Sequence, residues 1–166
     1  MPAELLYGKV SARIKATEDS KMQVRIKKLD ERAKIPTYGT DFSAGADLYN
    51  MEGNDVTVKP HETVMVKLGF AIEIPEGYAG LVFARSGLAS KRGIAPANKV
   101  GVVDSDYRGE CMVALHNHSE SDVLIEGGER IAQLCIVPFL KAEFLEAEEL
   151  SETERGGGGF GSTGKK

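Results

Sequence analysis

From Met22 the chain alternates apolar and polar residues: Met22, Val24, Ile26 and Leu29 are interleaved with Gln23, Arg25, Lys27 and Lys28. A period of two places one set of side chains on a buried face and the other in water, so this segment predicts a half-buried strand. Short strand-like runs then recur at 56–59, 63–68, 70–74, 78–84, 99–103, 110–116, 123–125, 130–137 and 143–146. Turn-forming clusters divide them, among them Glu52-Gly53-Asn54-Asp55, Pro75-Glu76-Gly77 and Glu126-Gly127-Gly128. Only 86–91 reads as a helix, of one or two turns. Many short strands between Gly- and Pro-marked turns predict an all-β sandwich or barrel-like fold. No internal repeat and no second domain is visible.

Two segments break the pattern. Residues 1–21 form an extension before the first strand, either a leader, a short helix or added residues. Residues 149–166 end in Arg155-Gly156-Gly157-Gly158-Gly159-Phe160-Gly161-Ser162-Thr163-Gly164. So many glycines bury nothing and cost much entropy to order, so this tail is no core element. It is either a flexible linker or a clamp. As a clamp, Arg155 binds phosphate oxygens, Phe160 stacks on a base, and glycine N–H groups with Ser162 and Thr163 donate to phosphates.

Bulk properties narrow the function classes. With 166 residues, 42% hydrophobic and 28% charged, the chain has the size and composition of one globular domain. No apolar run is long enough to span a membrane, and Lys9, Arg13 and Lys15 spoil a signal-peptide reading. A cytoplasmic protein is therefore expected. The net charge of −4 argues against a nucleic-acid polymer, whose binding needs many Lys and Arg contacts. It leaves room for a single nucleotide at a local basic site. Cys111 and Cys135 read as buried free thiols.

Chemistry-bearing residues fall in a few clusters. Arg85-Ser86-Gly87 joins an apolar strand to the short helix, where an arginine fork and free N–H groups suit an anion; a surface arginine beside a capping serine is the plainer alternative. Gly101-Val102-Val103-Asp104-Ser105-Asp106-Tyr107 leads a strand into a tight acidic turn. That hairpin offers backbone groups to a base edge, the Asp104 carboxylate to a water and the Tyr107 ring to a sugar. Asn98, at its foot, can donate and accept at once, which suits a pyrimidine edge. Met112 follows on the next strand. Arg130 and Gln133 are polar exceptions in an apolar strand, served by either a phosphate or a carboxylate. Asp47 either orients water around a metal or pairs with an arginine. His116 and His118 share a strand face but lack a third ligand at metal-site spacing. No P-loop or dinucleotide fingerprint is present.

Taken in order, 44–49, 85–89, 101–110, 128–134 and 155–164 resemble the five motifs of the trimeric dUTPase family. The match runs from about Met22 to Gly164. The resemblance implies a jelly-roll-like, β-clip subunit with a mobile C-terminal arm. It also implies a homotrimer with active sites shared between subunits, and hydrolysis of dUTP to dUMP and pyrophosphate with Mg2+ on the triphosphate. Such a reaction limits uracil in DNA and supplies dUMP for dTMP synthesis. By the same resemblance Asp104 activates water, and Tyr107 packs on deoxyribose. Asn98, Gly101, Val102 and Val103 read uracil, with Met112 nearby. Arg85, Ser86, Gly87 and Gln133 contact phosphates, and Asp47 helps hold the metal's water shell. Arg155 reaches the terminal phosphate, and Phe160, Gly161, Ser162 and Thr163 close over the nucleotide. Two rivals are a dCTP deaminase-like enzyme on the same subunit fold, and a nucleotide-gated interaction protein.

Overall fold

Alternation along 110–117 becomes strand structure in which Val113, Leu115 and Asn117 point inward and their neighbours outward. The computed structural model describes residues 22–159. Eleven strands and one helix occur there: β1 (Arg25–Lys28), β2 (Thr37–Tyr38), β3 (Ala46–Tyr49), β4 (Val56–Val58), β5 (Thr63–Glu73), β6 (Tyr78–Ala84), α1 (Ser86–Arg92), β7 (Ile94–Pro96), β8 (Gly101–Val103), β9 (Glu110–Asn117), β10 (Val123–Ile125) and β11 (Arg130–Pro138). They form a four-stranded sheet, β1-β5-β9-β7, a five-stranded sheet, β2-β3-β11-β6-β8, and a small pair, β10-β4. Every pairing is antiparallel. The fold is all-β and jelly-roll-like, with one short helix among the described residues.

The inner faces of the sheets meet over Leu48, Val66, Leu68, Phe70, Ile72, Val82, Val113, Leu115, Ile131 and Leu134. Burial of this apolar area is the main stabilising term. Asn117, in line with Val113 and Leu115, is the polar exception on β9. Its amide donates to the Val58 and Ser121 carbonyls and accepts from the Ser119 N–H and hydroxyl, so its buried polar groups are satisfied. Helix α1 ends at Gly93, whose left-handed backbone lets its N–H bond back into the last turn.

Two expectations are corrected. The runs 63–68 and 70–74 are one strand, β5, bent where its register with β9 shifts between Lys67 and Ala71. The bend is at Gly69, with φ +72. The expected strand at 143–146 is absent: Leu140 and Phe144 are 95% and 94% exposed, with no strand beside them. Conversely, β2 and β7 carry too few residues for a periodic signal.

Gly69 is doubly constrained. Besides its positive φ, a Cβ there would lie 2.5 Å from the Met51 sulfur and 2.9 Å from the Ala33 methyl. Gly69→Ala is expected to destabilise the fold by roughly 2–4 kcal/mol, from left-handed strain plus overpacking. Urea unfolding would read this as a lower midpoint at unchanged slope.

Candidate active site

The β8–β9 connection is held from several directions. The Tyr107 N–H donates to the Asp104 carbonyl at 3.2 Å. The Arg108 guanidinium donates to the Ser105 and Tyr107 carbonyls and reaches Glu73 at 3.8 Å. The Tyr107 hydroxyl donates to the Glu110 carbonyl at 2.9 Å, laying the ring across Gly109. A Cβ on Gly109 would lie 2.6 Å from the Tyr107 ring carbon that bears the hydroxyl, so only glycine allows this ring position.

This turn is the rim of a cavity of about 230 Å3. Val102, Val103, Asp104, Tyr107, Cys111 and Met112 line it, above the core residues Leu68, Phe70 and Leu134. The expected hairpin residues are thus gathered on one apolar cavity with a carboxylate at its edge. Gly101 pairs with Val82. The Asn98 amide nitrogen lies beside Gly101, at the foot of the hairpin, in an exposed tight turn where Lys99 takes φ +65.

Cys111 was not among the expected site residues, yet it lines the same cavity. Burial, helped by the Glu110 charge, pushes its thiol up to about 11. The thiol is protonated at neutral pH and a poor nucleophile. Cys111 is expected to resist iodoacetamide at pH 8 and to react only as the pH nears 11. Peptide mass spectrometry, which separates Cys111 from the second free thiol Cys135, reads this directly.

A second cluster sits on the outer face of the five-stranded sheet. Directly opposed residues in antiparallel strands share a face. Asp47 opposes Gln133 and Thr37, and Gln133 opposes Phe83. Arg85 lies two residues beyond Phe83 in extended backbone and shares that face. The Asp47 carboxylate is buried. It accepts from Arg85 Nε at 2.9 Å and from Arg130 Nη1 at 3.3 Å. Of the two alternatives for Asp47, pairing with arginine is the one observed. Ser86 and Gly87 follow at the exposed start of α1. Ser86 is the first helical residue, not the cap; Arg85 holds that position without a side-chain capping bond.

Arg155 is exposed, and its Nε donates to the Gly158 carbonyl at 2.8 Å. Phe160, Gly161, Ser162 and Thr163 lie outside the described residues. The His116 and His118 rings meet edge to face at 4.4 Å. Among the described residues no group of three or more His, Cys, Asp or Glu side chains is placed to hold a metal. No described helix is long and apolar enough to cross a membrane.

The two clusters are far apart. Val103 opposes Gly80, so Asp104 stands at the Ala79 level, toward the start of β6, whereas Arg85 follows its end. At about 3.3 Å per residue, Ala79 to Arg85 spans about 20 Å.

Comparison with known proteins decides the family. The dUTPase family model matches residues 31–164. The chain belongs to the dUTPase family. A deoxyuridine 5'-triphosphate nucleotidohydrolase of Hydrogenobaculum sp. is 51% identical over 145 residues, covering 87% of this chain and all of that protein. One from Acinetobacter baumannii is 46% identical over 150 residues, again covering all of that protein. Among solved structures, a mutant dUTPase of Staphylococcus bacteriophage 80alpha with dUpNHpp matches with a TM-score of 0.80 at 31% identity, covering 87% of this chain and 99% of that one. A mutant dUTPase from phage phi11 of S. aureus, described with a structural Mg(II) ion, matches with a TM-score of 0.71 at 26% identity, covering 79% and 100%.

Proposed function

We propose that this chain, an enzyme of the dUTPase family, hydrolyses dUTP to dUMP and pyrophosphate, with Asp104 as general base. The observation that carries the reading is the pairing of Asp104 and Tyr107 on the rim of one apolar cavity. The cavity suits a base and sugar. Asn98 and the backbone of Gly101, Val102 and Val103 supply donors and acceptors for uracil, and Met112 packs nearby. The Tyr107 ring, pinned by its hydroxyl, packs on the deoxyribose and leaves no space for a 2′-hydroxyl.

In the step itself a water oxygen bonds to the α-phosphorus, the bond to the pyrophosphate oxygen breaks, and the water's proton passes to the Asp104 carboxylate. Arg85, Ser86, Gly87 and Gln133 hold the phosphates, so positioning and charge neutralisation do most of the catalysis. The residues present fit Mg2+ held mainly by the substrate triphosphate and its waters, with Asp47 in contact through water. The acid beside the phosphate-binding set, Asp47, is engaged by two arginines, and Mg2+ commonly keeps its waters and takes phosphate oxygens. Bound so, the ion neutralises phosphate charge. Arg155 and the tail from Phe160 to Thr163 close over the nucleotide and reopen for product release.

A general base must lie within hydrogen-bond reach of the attacking water. The phosphate-binding set must be equally near the phosphates, yet about 20 Å separates the two sets in one chain. A complete site therefore combines the hairpin of one subunit with the Arg85–Gln133 face of another, and the family resemblance implies a homotrimer. Exposed Leu140, Phe144, Leu145 and Leu150 leave the C-terminal segment free to lie on a neighbour.

The test is pyrophosphate release from dUTP with Mg2+, run beside UTP, dCTP and dTTP. Release from dUTP alone is expected. Ammonia from dCTP would replace this reading with a deaminase, and tight dUTP binding without turnover would replace it with a binding protein.

A further inference from the structure

We propose that the thioethers of Met65 and Met112 form a peroxide-sensitive pair at the mouth of the cavity, and that their oxidation to sulfoxides weakens nucleotide binding. This rests on the reading of the cavity as the seat of base and sugar.

The first argument is where the two side chains stand. β5 and β9 pair so that Met65 opposes Ala114 and Lys67 opposes Met112. Met65 and Met112 are therefore diagonal neighbours on one face, about 7–8 Å apart, a gap that long side chains can close. They alternate with the buried Val66 and Val113, so that face is the outer one. Both line the cavity whose rim carries Asp104 and Tyr107.

The second argument is what the fold asks of these positions. Met51 is buried at 8% exposure, whereas Met65 and Met112 are 55% and 43% exposed. Their neighbours on the outer face include Thr63, Lys67 and His116, which are polar. An exposed strand position gains little from an unbranched thioether, because β-branched residues fit a pleated surface better. The pair instead gives the cavity mouth a soft, apolar and oxidisable surface.

The third argument is chemical. A sulfur lone pair bonds to one oxygen of hydrogen peroxide and the O–O bond breaks. The proton left on the transferred oxygen passes to the departing hydroxide, giving sulfoxide and water. Sulfur is oxidised and peroxide reduced. A thioether has no proton to lose, so neutral pH does not slow it. Cys111 on the same cavity is a poor competitor, since burial and the Glu110 charge keep its thiol protonated. The sulfoxide is polar. Covered by a bound base, it loses its water without gaining a hydrogen-bond partner, which costs affinity.

The experiment uses the full chain. dUTP hydrolysis by untreated protein is measured first; its failure would remove the hydrolase reading itself. The protein is then treated with hydrogen peroxide at pH 7. Peptide mass spectrometry locates the sulfoxides, and calorimetry follows the binding of dUpNHpp with Mg2+. Oxidation of Met65 and Met112 is expected to run ahead of Met51 and to weaken dUpNHpp roughly tenfold. Methionine sulfoxide reductases should restore the affinity. Prebound dUpNHpp should protect Met65 and Met112 and leave the exposed Met22, which does not line the cavity, unprotected. The Met65→Leu, Met112→Leu double variant, compared with its own untreated sample, should lose no affinity on treatment. Full oxidation of the pair at unchanged affinity would overturn the inference, as would an equal loss in the double variant. Should that variant fail to fold, the protection measurement decides with wild-type protein alone: equal oxidation of the pair with and without dUpNHpp would take both sulfurs away from the nucleotide.

Discussion

Asp104→Asn is expected to bind dUTP with near wild-type affinity and to hydrolyse it ~10²–10⁴-fold more slowly, the usual effect of removing one general base. The substitution keeps the shape of the side chain and removes its ability to take a proton. The turn should survive it. The contacts that hold the turn run through the Asp104 backbone carbonyl, the Arg108 guanidinium and the Tyr107 hydroxyl, not through the Asp104 carboxylate. Single-turnover rates with dUTP, measured beside calorimetric binding of dUpNHpp, separate the two effects. Wild-type turnover would remove Asp104 as the base. Loss of binding in step with rate would make it a ligand contact instead.

Two inactive variants should restore one another. Asp104→Asn damages only the hairpin cluster, and Arg85→Ala only the phosphate-facing cluster. If each site takes its hairpin from one subunit and its arginine from the next, a mixed ring contains sites that draw two intact halves. Random mixing in equal amounts places both intact halves together in roughly a quarter of the sites, whatever the ring size, because the interface is heterologous. The mixture, unfolded and refolded together, is thus expected to recover about a quarter of wild-type turnover. Either variant alone should remain near its own low rate. A mixture no better than the mean of its components would place the whole site in one chain. That would contradict the separation along β6.

Much of the fold was legible in the sequence because period-two alternation reports a sheet with one wet face. β9 falls close to its expected bounds for that reason, and β6, β10 and β11 do so because turn-forming clusters bound their apolar runs. The helix was legible from its place directly after an apolar strand. The strand expected at 143–146 marks the limit of such reasoning. Phe144 and Leu145 between Glu143 and Glu146 describe a side-chain pattern, but a strand needs a partner edge, and the described residues offer none there. Likewise, Gly69 read as a break between two strands, whereas it is a bend within one, because pairing with β9 continues on both sides.

The sequence by itself determined the residue types of the candidate site. Asp104, Tyr107, Asn98 and Arg85 are polar or aromatic residues placed at turns and strand ends, and Gln133 is a polar exception inside an apolar strand, so local chemistry identifies them. It also determined the all-β class, because alternation is a local property. Tertiary structure alone decided which of them stand together. Register put Asp47 opposite Gln133, one bulge swung Arg130 onto the same face, and β6 set Asp104 and Arg85 at its two ends. Register, bulges and strand order arise from contacts between segments far apart in the chain, and no local pattern of hydrophobic and polar residues encodes them.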